Sequence, residues 1–125
     1  MAWIFVYGTL RSRGAAAQLL EDGVVDRQGA VLAGHALYGK SLPYPFMTAE
    51  PGRSVVGELV RLADDRAATM LERLDDYEGG EYRRTVVTVR AGGSAIEAFA
   101  WVAIDPGALA EDERIDSGDW FAPGV

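Results

Sequence analysis

The sequence predicts an α+β fold: a small mixed β-barrel of about five to seven strands with two or more short flanking helices. Several strand-like segments carry apolar residues on both sides, as expected for a curled or closed sheet. Two short segments have helical composition, and a glycine-rich turn joins two alternating segments. Residues 1–125 contain no linker, repeat or low-complexity segment, so we expect a single domain.

The first half of the chain contributes two strands, one helix and a long loop to this prediction. Residues 3–7 are wholly apolar and predict a strand that is buried on both faces. Residues 15–22 favour a short helix, and residues 28–38 alternate around interspersed glycines, which predicts a curved strand. Residues 39–53 contain three prolines, so we expect a loop of about 15 residues that forms an ordered lid or wall.

The middle of the chain predicts a strand followed by a second helix. Residues 54–62 alternate as a strand does, although neither face is cleanly polar. Asp64 or Asp65 is suited to cap a helix that runs to about Tyr77, and the glycines at positions 79 and 80 are typical of a helix end.

The last part of the chain predicts a hairpin and a tail. Residues 81–90 and 95–104 alternate around Gly92-Gly93-Ser94, a sequence that is typical of a hairpin turn. Residues 105–125 are acidic and rich in proline and glycine, so we expect a tail that covers the rest of the fold.

The composition excludes several classes of function. A formal net charge of −7 argues against a nucleic-acid partner, because nucleic acids are bound by basic surfaces. No apolar stretch approaches the roughly 18 residues of a membrane span, so we expect no membrane partner. The absence of cysteine removes disulfides and thiolate catalysis and is compatible with a cytoplasmic location. Asp112, Glu113, Asp116 and Asp119 lack the spacing of a calcium loop, so we predict no metal site.

The segment Tyr7-Gly8-Thr9-Leu10, called the cradle below, ends the first predicted strand and is the first candidate site. Gly8 has no Cβ, so a ligand can approach the backbone closely there. The amides of Gly8, Thr9 and Leu10 are then free to bind a carboxylate or carbonyl oxygen. The alternative is that Gly8-Thr9 is only a turn that ends a strand.

The second candidate is Glu78, at the end of the second predicted helix. With Met70 set at zero and about 100° per residue, the apolar stripe is centred at about 45° and Glu78 lies at about 80°. The neighbouring acids Glu72 and Asp76 face water instead. Burial raises a carboxyl pKa, and a glutamate with a pKa of about 6–7 is suited to act as a general base. The alternative is that the helix has unwound by residue 78, which leaves an exposed glutamate.

Four segments together resemble the γ-glutamylcyclotransferase-like family. They are Tyr7-Gly8-Thr9-Leu10, Leu74-Asp75-Asp76-Tyr77-Glu78-Gly79, Tyr82-Arg83-Arg84 and Ser117-Gly118-Asp119-Trp120, in the order and at the spacing typical of the family. The short chain and the strand at Trp101 are similar to the compact bacterial and plant members and the γ-glutamylamine cyclotransferases, more than to the longer glutathione-pathway enzymes.

The resemblance implies a barrel whose cavity holds a small-molecule γ-glutamyl substrate and an enzyme that needs no cofactor. The implied substrate-binding residues are Tyr7, Gly8, Thr9 and Leu10, which act through backbone amides, and the implied general acid and base is Glu78. The α-amine of the substrate attacks its own side-chain carbonyl, so 5-oxoproline and an amine are formed without an enzyme nucleophile.

Aromatic residues and alternative functions complete the prediction. Tyr44, Tyr82 and Trp101 are candidates for the wall of the cavity, with burial in the core as the alternative. The main alternative function is a catalytically inactive module that binds a small ligand on the same barrel. A fully exposed Glu78, or a cavity plugged by Tyr44 or Phe46, favours that module. A third possibility is removal of a γ-glutamyl protecting group from a specialised metabolite by the same cyclisation. The sequence leaves the leaving amine and the oligomeric state open.

Overall fold

The computed structural model describes residues 2–8, 10, 11, 23–42, 44–104 and 113–121. In chain order its elements are β1 (Ala2–Val6), β2 (Val24–Tyr38), β3 (Phe46–Leu62), α1 (Ala67–Glu78), β4 (Tyr82–Ala91), β5 (Ser94–Ala103) and β6 (Arg114–Ile115). A 3-10 turn, Gly79–Glu81, joins α1 to β4. The predicted helix over residues 15–22 lies outside the described residues.

The strands form one mixed sheet whose hydrogen bonding runs in a ring. The strand order is β3-β1-β5-β4-β2-β6, and an additional pairing joins β2 to β3. The β1–β5 pair is parallel, whereas the other pairs are antiparallel. The prediction of a mixed sheet is confirmed, and the ring of pairings is the feature that corresponds to the predicted barrel.

The predicted loop over residues 39–53 is wrong for most of its length. Strand β3 begins at Phe46 and pairs with β2 over residues 46–49 and 54–62, so the described residues that connect the two strands are 39–42, 44 and 45. Pairing shifts register between Ala33 and His35 of β2, and the extra residues 50–53 of β3 form a bulge opposite Gly34. Pro51 lies in this bulge, where the chain needs no ladder donor, and a local pattern of prolines cannot reveal that.

The helix α1 ends as predicted but begins differently. Met70 and Leu74 are its fully buried residues, on the stripe that the helical wheel predicts. The N-cap residue is Arg66 and makes no side-chain capping hydrogen bond, so the predicted cap at Asp64 or Asp65 is wrong. The helix begins at Ala67, after a turn over residues 64–66, so Arg66 and neither aspartate occupies the N-cap position.

The hairpin and the tail agree with the sequence. Strands β4 and β5 pair without interruption from Tyr82 and Ala103 to Ala91 and Ser94. The turn is Gly92-Gly93, with φ values of 56° and 82°, which glycine adopts without steric cost. In the tail, β6 pairs with the end of β2 and buries Ile115. Residues 105–112 and 122–125 of the predicted tail lie outside the described residues.

Strand β1 is buried on both faces, as predicted. Phe5 packs into the core cluster of the sheet with Leu37 and Met47, whereas Ile4 and Val6 pack with residues of α1 in a second cluster. Apolar residues on both sides are therefore needed in this strand. Within the described part of the chain, no helix is long and apolar enough to cross a membrane.

Candidate functional site

A cavity of about 500 Å³ lies where the end of β1 meets the end of α1. It is lined by residues from β1 and the cradle, from residues 44–45, from the end of α1 with the turn that follows, and from β4 and β5. These residues are Phe5, Val6, Tyr7, Gly8, Leu10, Tyr44, Pro45, Tyr77, Glu78, Gly79, Gly80, Glu81, Tyr82 and Trp101. The two candidate sites of the sequence, the cradle and Glu78, therefore share one cavity.

The cradle is a tight turn held against its neighbours. The Arg11 amide donates to the Gly8 carbonyl oxygen at 3.1 Å, which closes the turn. A Cβ on Gly8 would lie 2.6 Å from Pro45 Cγ, so this close packing requires glycine. The Leu10 carbonyl oxygen lies 3.4 Å from the Arg27 guanidinium, which donates to it. Thr9 lies outside the described residues.

Tyr7 is buried, and its hydroxyl is already engaged. The Tyr7 hydroxyl donates to the Trp101 carbonyl oxygen at 2.5 Å. Burial, together with the negative charge of Glu78, raises the pKa of the Tyr7 phenol. The phenol therefore stays protonated and links the end of β1 to β5.

Glu78 is the last residue of α1, and its side chain is partly buried. Gly79 follows with φ of 75° and ends the helix. Burial raises the pKa of Glu78 from its usual 4.5 to about 7. The inward orientation predicted from the helical wheel is confirmed, and the alternative of an exposed glutamate beyond an unwound helix is wrong.

Three aromatic side chains, Tyr44, Phe46 and Tyr82, pack together beside the cavity, and Tyr44 and Tyr82 line it. The Tyr82 hydroxyl donates to the Pro45 carbonyl oxygen at 2.8 Å, which holds the end of the 39–45 connection at the cavity. The Phe46 ring stacks on the Tyr82 ring at 5.3 Å between centroids, and Tyr44 packs edge-on against Phe46 at 5.5 Å. Tyr44 is 43% exposed, so it stands at the mouth of the cavity and does not plug it.

The cavity lining carries two carboxylates and no cationic side chain among the described residues. Glu78 and Glu81 are the acids. The backbone N–H groups of the cradle are therefore candidates to bind an anionic group of a ligand. The described residues also contain no group of three or more His, Asp or Glu side chains that could hold a metal ion, although Asp112 lies outside them.

Reasoning from the sequence did not identify some residues of the cavity lining. Gly79 and Gly80 signal only a helix end, yet both line the cavity. The contact between the Trp101 indole Nε1 and Asp75 Oδ1, at 2.9 Å, joins a helix to a distant strand. Neither periodicity nor spacing carries a signal for such a pairing.

A family of known proteins matches most of the chain. The family model described as "Gamma-glutamyl cyclotransferase, AIG2-like" matches residues 4–122. No curated protein sequence matches the chain.

Solved structures with a similar fold include proteins from distant organisms. The chain is 26% identical to an AIG2-like protein from Mus musculus, with a TM-score of 0.69 over 94% of this chain and 89% of that one. An uncharacterized protein from Pyrococcus horikoshii is 24% identical, with a TM-score of 0.67 over 96% and 90%. A structure titled "Gamma-glutamyl cyclotransferase" is 17% identical, with a TM-score of 0.59 over 82% and 66%. The last two likenesses show the fold alone.

Proposed function

Because the chain belongs to the AIG2-like gamma-glutamyl cyclotransferase family, we propose that it is an enzyme that cyclises a γ-glutamyl amide. The products are 5-oxoproline and a free amine. The observation that carries the proposal is the shared cavity, in which a partly buried carboxyl with a pKa of about 7 faces the same space as the cradle. A pKa near neutrality lets one group both accept and return a proton at physiological pH.

The reaction needs a base and an acid but no enzyme nucleophile. Glu78 takes a proton from the α-ammonium group of the substrate, and the freed amine attacks the γ-carbonyl carbon. A new C–N bond closes the five-membered ring, and the C–N bond to the leaving amine then breaks. Of the three ammonium protons, one stays on the ring nitrogen and two leave with the amine as its ammonium ion, carried one at a time by Glu78. Attack within one molecule avoids the entropic cost of bringing two reactants together.

The cradle supplies hydrogen-bond donors in this proposal. The backbone N–H groups of Gly8 and Leu10, with Thr9 between them, bind either the substrate carboxylate or the developing oxyanion. Tyr7, Tyr44 and Tyr82 form the walls that contact the rest of the substrate. We expect no metal or organic cofactor in these steps, and a cytoplasmic location stays a prediction.

Two observations favour the enzyme over a module that only binds a ligand. A fully exposed Glu78, or a cavity plugged by Tyr44 or Phe46, would favour such a module. Glu78 is instead partly buried in the cavity lining, and the cavity that Tyr44 lines keeps a volume of about 500 Å³.

The test is release of 5-oxoproline, measured by mass spectrometry. The panel contains γ-glutamyl dipeptides, γ-glutamylamines and γ-glutamyl conjugates of larger amine metabolites. We expect the wild-type protein to release 5-oxoproline from at least one class, and Glu78→Gln to lower kcat by about 10²–10⁴-fold.

Glu72→Gln is the matched control, since Glu72 lies on the exposed face of the same helix. Its activity should equal that of the wild type. A wild-type protein that binds panel members but releases no 5-oxoproline would establish the binding module instead. Full activity in a folded Glu78→Gln variant would refute the assigned role of Glu78.

A further inference from the structure

Asp75 lies on helix α1, which carries Glu78, and its side chain contacts strand β5, which in turn contacts the cradle. Its carboxylate accepts a hydrogen bond from Trp101 Nε1 at 2.9 Å and lies 3.5 Å from the Arg84 guanidinium. The Trp101 carbonyl oxygen accepts the hydroxyl of Tyr7, the first residue of the cradle. Contacts therefore run without a break from α1 through β5 to the cradle. The bond between Asp75 and Trp101 is called the indole link below.

The indole link acts on the last turn of α1. The Asp75 carbonyl oxygen accepts the Gly79 N–H, which is the hydrogen bond that ends the helix. Glu78 lies three residues after Asp75, in the same turn, so both residues rotate together about the helix axis. Fixing the Asp75 side chain on β5 therefore fixes the backbone of the last turn, from which the Glu78 side chain projects.

Stability alone does not explain this arrangement. The Arg84 and Asp75 side chains are 35% and 41% exposed, so water and salt screen the ion pair and it contributes little. The Trp101 ring is buried, and its N–H needs an acceptor. An acceptor on any neighbouring element would satisfy that need, but only one on the last turn of α1 also orients Glu78.

We propose that Asp75 is a positioning residue: through the indole link it keeps the Glu78 carboxylate in the position from which it faces the cradle across the cavity. This inference rests on the proposed function. Asp75 does not line the cavity and takes no part in proton transfer. Its effect is geometric, and a displacement of about 1 Å at a reacting group can lower the rate about 10²-fold.

The experiment compares variants at both ends of the indole link. Asp75→Ala removes the acceptor and Trp101→Phe removes the donor, and each should lower kcat about 10- to 100-fold. The KM of Asp75→Ala should stay within about 3-fold of the wild-type value, because no substrate contact is lost. Asp75→Asn keeps an oxygen acceptor for the indole but loses the ion pair with Arg84, so its kcat should recover to within about 3-fold of wild type. Asp76→Ala, at the exposed neighbouring position, is the control and should have no effect.

The pH profile separates positioning from a general loss of structure. If the last turn is released, Glu78 becomes more exposed, so the pH of half-maximal kcat/KM should fall in Asp75→Ala and stay unchanged in Asp75→Asn. The other titratable side chains that line the cavity, among the described residues, are Tyr7, Tyr44, Tyr77, Glu81 and Tyr82. The pKa values of Tyr7 and Tyr82 are raised, so neither phenol titrates in this range.

Several outcomes would overturn the inference. Folded Asp75→Ala and Trp101→Phe variants with wild-type kcat and pH profile would do so, as would an Asp75→Asn variant as slow as Asp75→Ala. If Asp75→Ala fails to fold, Trp101→Phe decides in its place. An NMR titration of the Glu78 carboxyl needs no substrate, so it tests the indole link even if the wild type releases no 5-oxoproline. In that case the Glu78 pKa should still be lower in Asp75→Ala than in the wild type. An unchanged Glu78 pKa would contradict the inference.

Discussion

Replacing Glu78 with glutamine is expected to stabilise the folded protein at pH 8 while it removes activity. Burial raises the pKa of Glu78 from 4.5 to about 7, so ionising this group costs more free energy in the folded state than in the unfolded chain. Glutamine has a similar shape and no charge to desolvate. The variant therefore avoids a cost that the wild type carries above neutral pH.

The sign and size follow from proton linkage. Between pH 4.5 and about 7 the folded state binds more protons at Glu78 than the unfolded state does, so the free energy of unfolding falls as the pH rises through this range. At about 1.36 kcal/mol per pKa unit, the full effect is about 3 kcal/mol at pH 8 and below about 1 kcal/mol at pH 5. Partial exposure of the side chain makes the larger figure an upper limit.

The assay is urea unfolding of the wild type and Glu78→Gln at pH 5 and pH 8, followed by circular dichroism. The difference in the free energy of unfolding should favour the variant and grow between the two pH values, with unchanged m values. Glu72→Gln should show no such growth, because that glutamate is exposed. A difference that is the same at both pH values would refute the claim that Glu78 is desolvated in the folded protein.

Three further predictions concern rate and packing. The wild-type kcat/KM should fall about tenfold per pH unit below the Glu78 pKa of about 7 and level off above it; a flat profile from pH 5 to 8 would contradict a base with this pKa. Gly8→Ala places a Cβ 2.6 Å from Pro45 Cγ, so it should lower the free energy of unfolding in urea by about 1–3 kcal/mol and raise KM. Wild-type values for both would show that the cradle tolerates a side chain. Asp119→Ala removes the carboxylate that lies 2.7 Å from the buried Arg11 guanidinium and should lower the free energy of unfolding by about 2 kcal/mol. An unchanged Tm would show that the pair is dispensable.

Those parts of the fold and of the site that depend on local sequence pattern could be predicted from the sequence. The apolar stretch of β1 and the turn at Gly92-Gly93 follow from side-chain alternation and turn chemistry, and both are present. The direction of Glu78 followed from helix periodicity, because Met70 and Leu74 fix which side of α1 faces the core.

What the sequence could not show depends on pairing between distant residues. Pro51 reads as a strand breaker, but the bulge opposite β2 accommodates it, and β3 continues through that position. The link between Asp75 and Trp101 likewise arises only when the helix packs on β5. Local propensity carries no information about such partners, and tertiary contact overrides it.

The parallel pairing of β1 with β5 has a consequence for biosynthesis. Ile4 in β1 pairs with Phe99 in β5, so β1 has no parallel neighbour until β5 has been synthesised. Contacts between such distant residues form slowly, since a long loop of chain must close first. The cavity, which Trp101 of β5 lines, therefore forms only after β5 has been synthesised and has paired with β1. After dilution from denaturant, formation of the cavity should consequently lag behind the appearance of the β4–β5 hairpin.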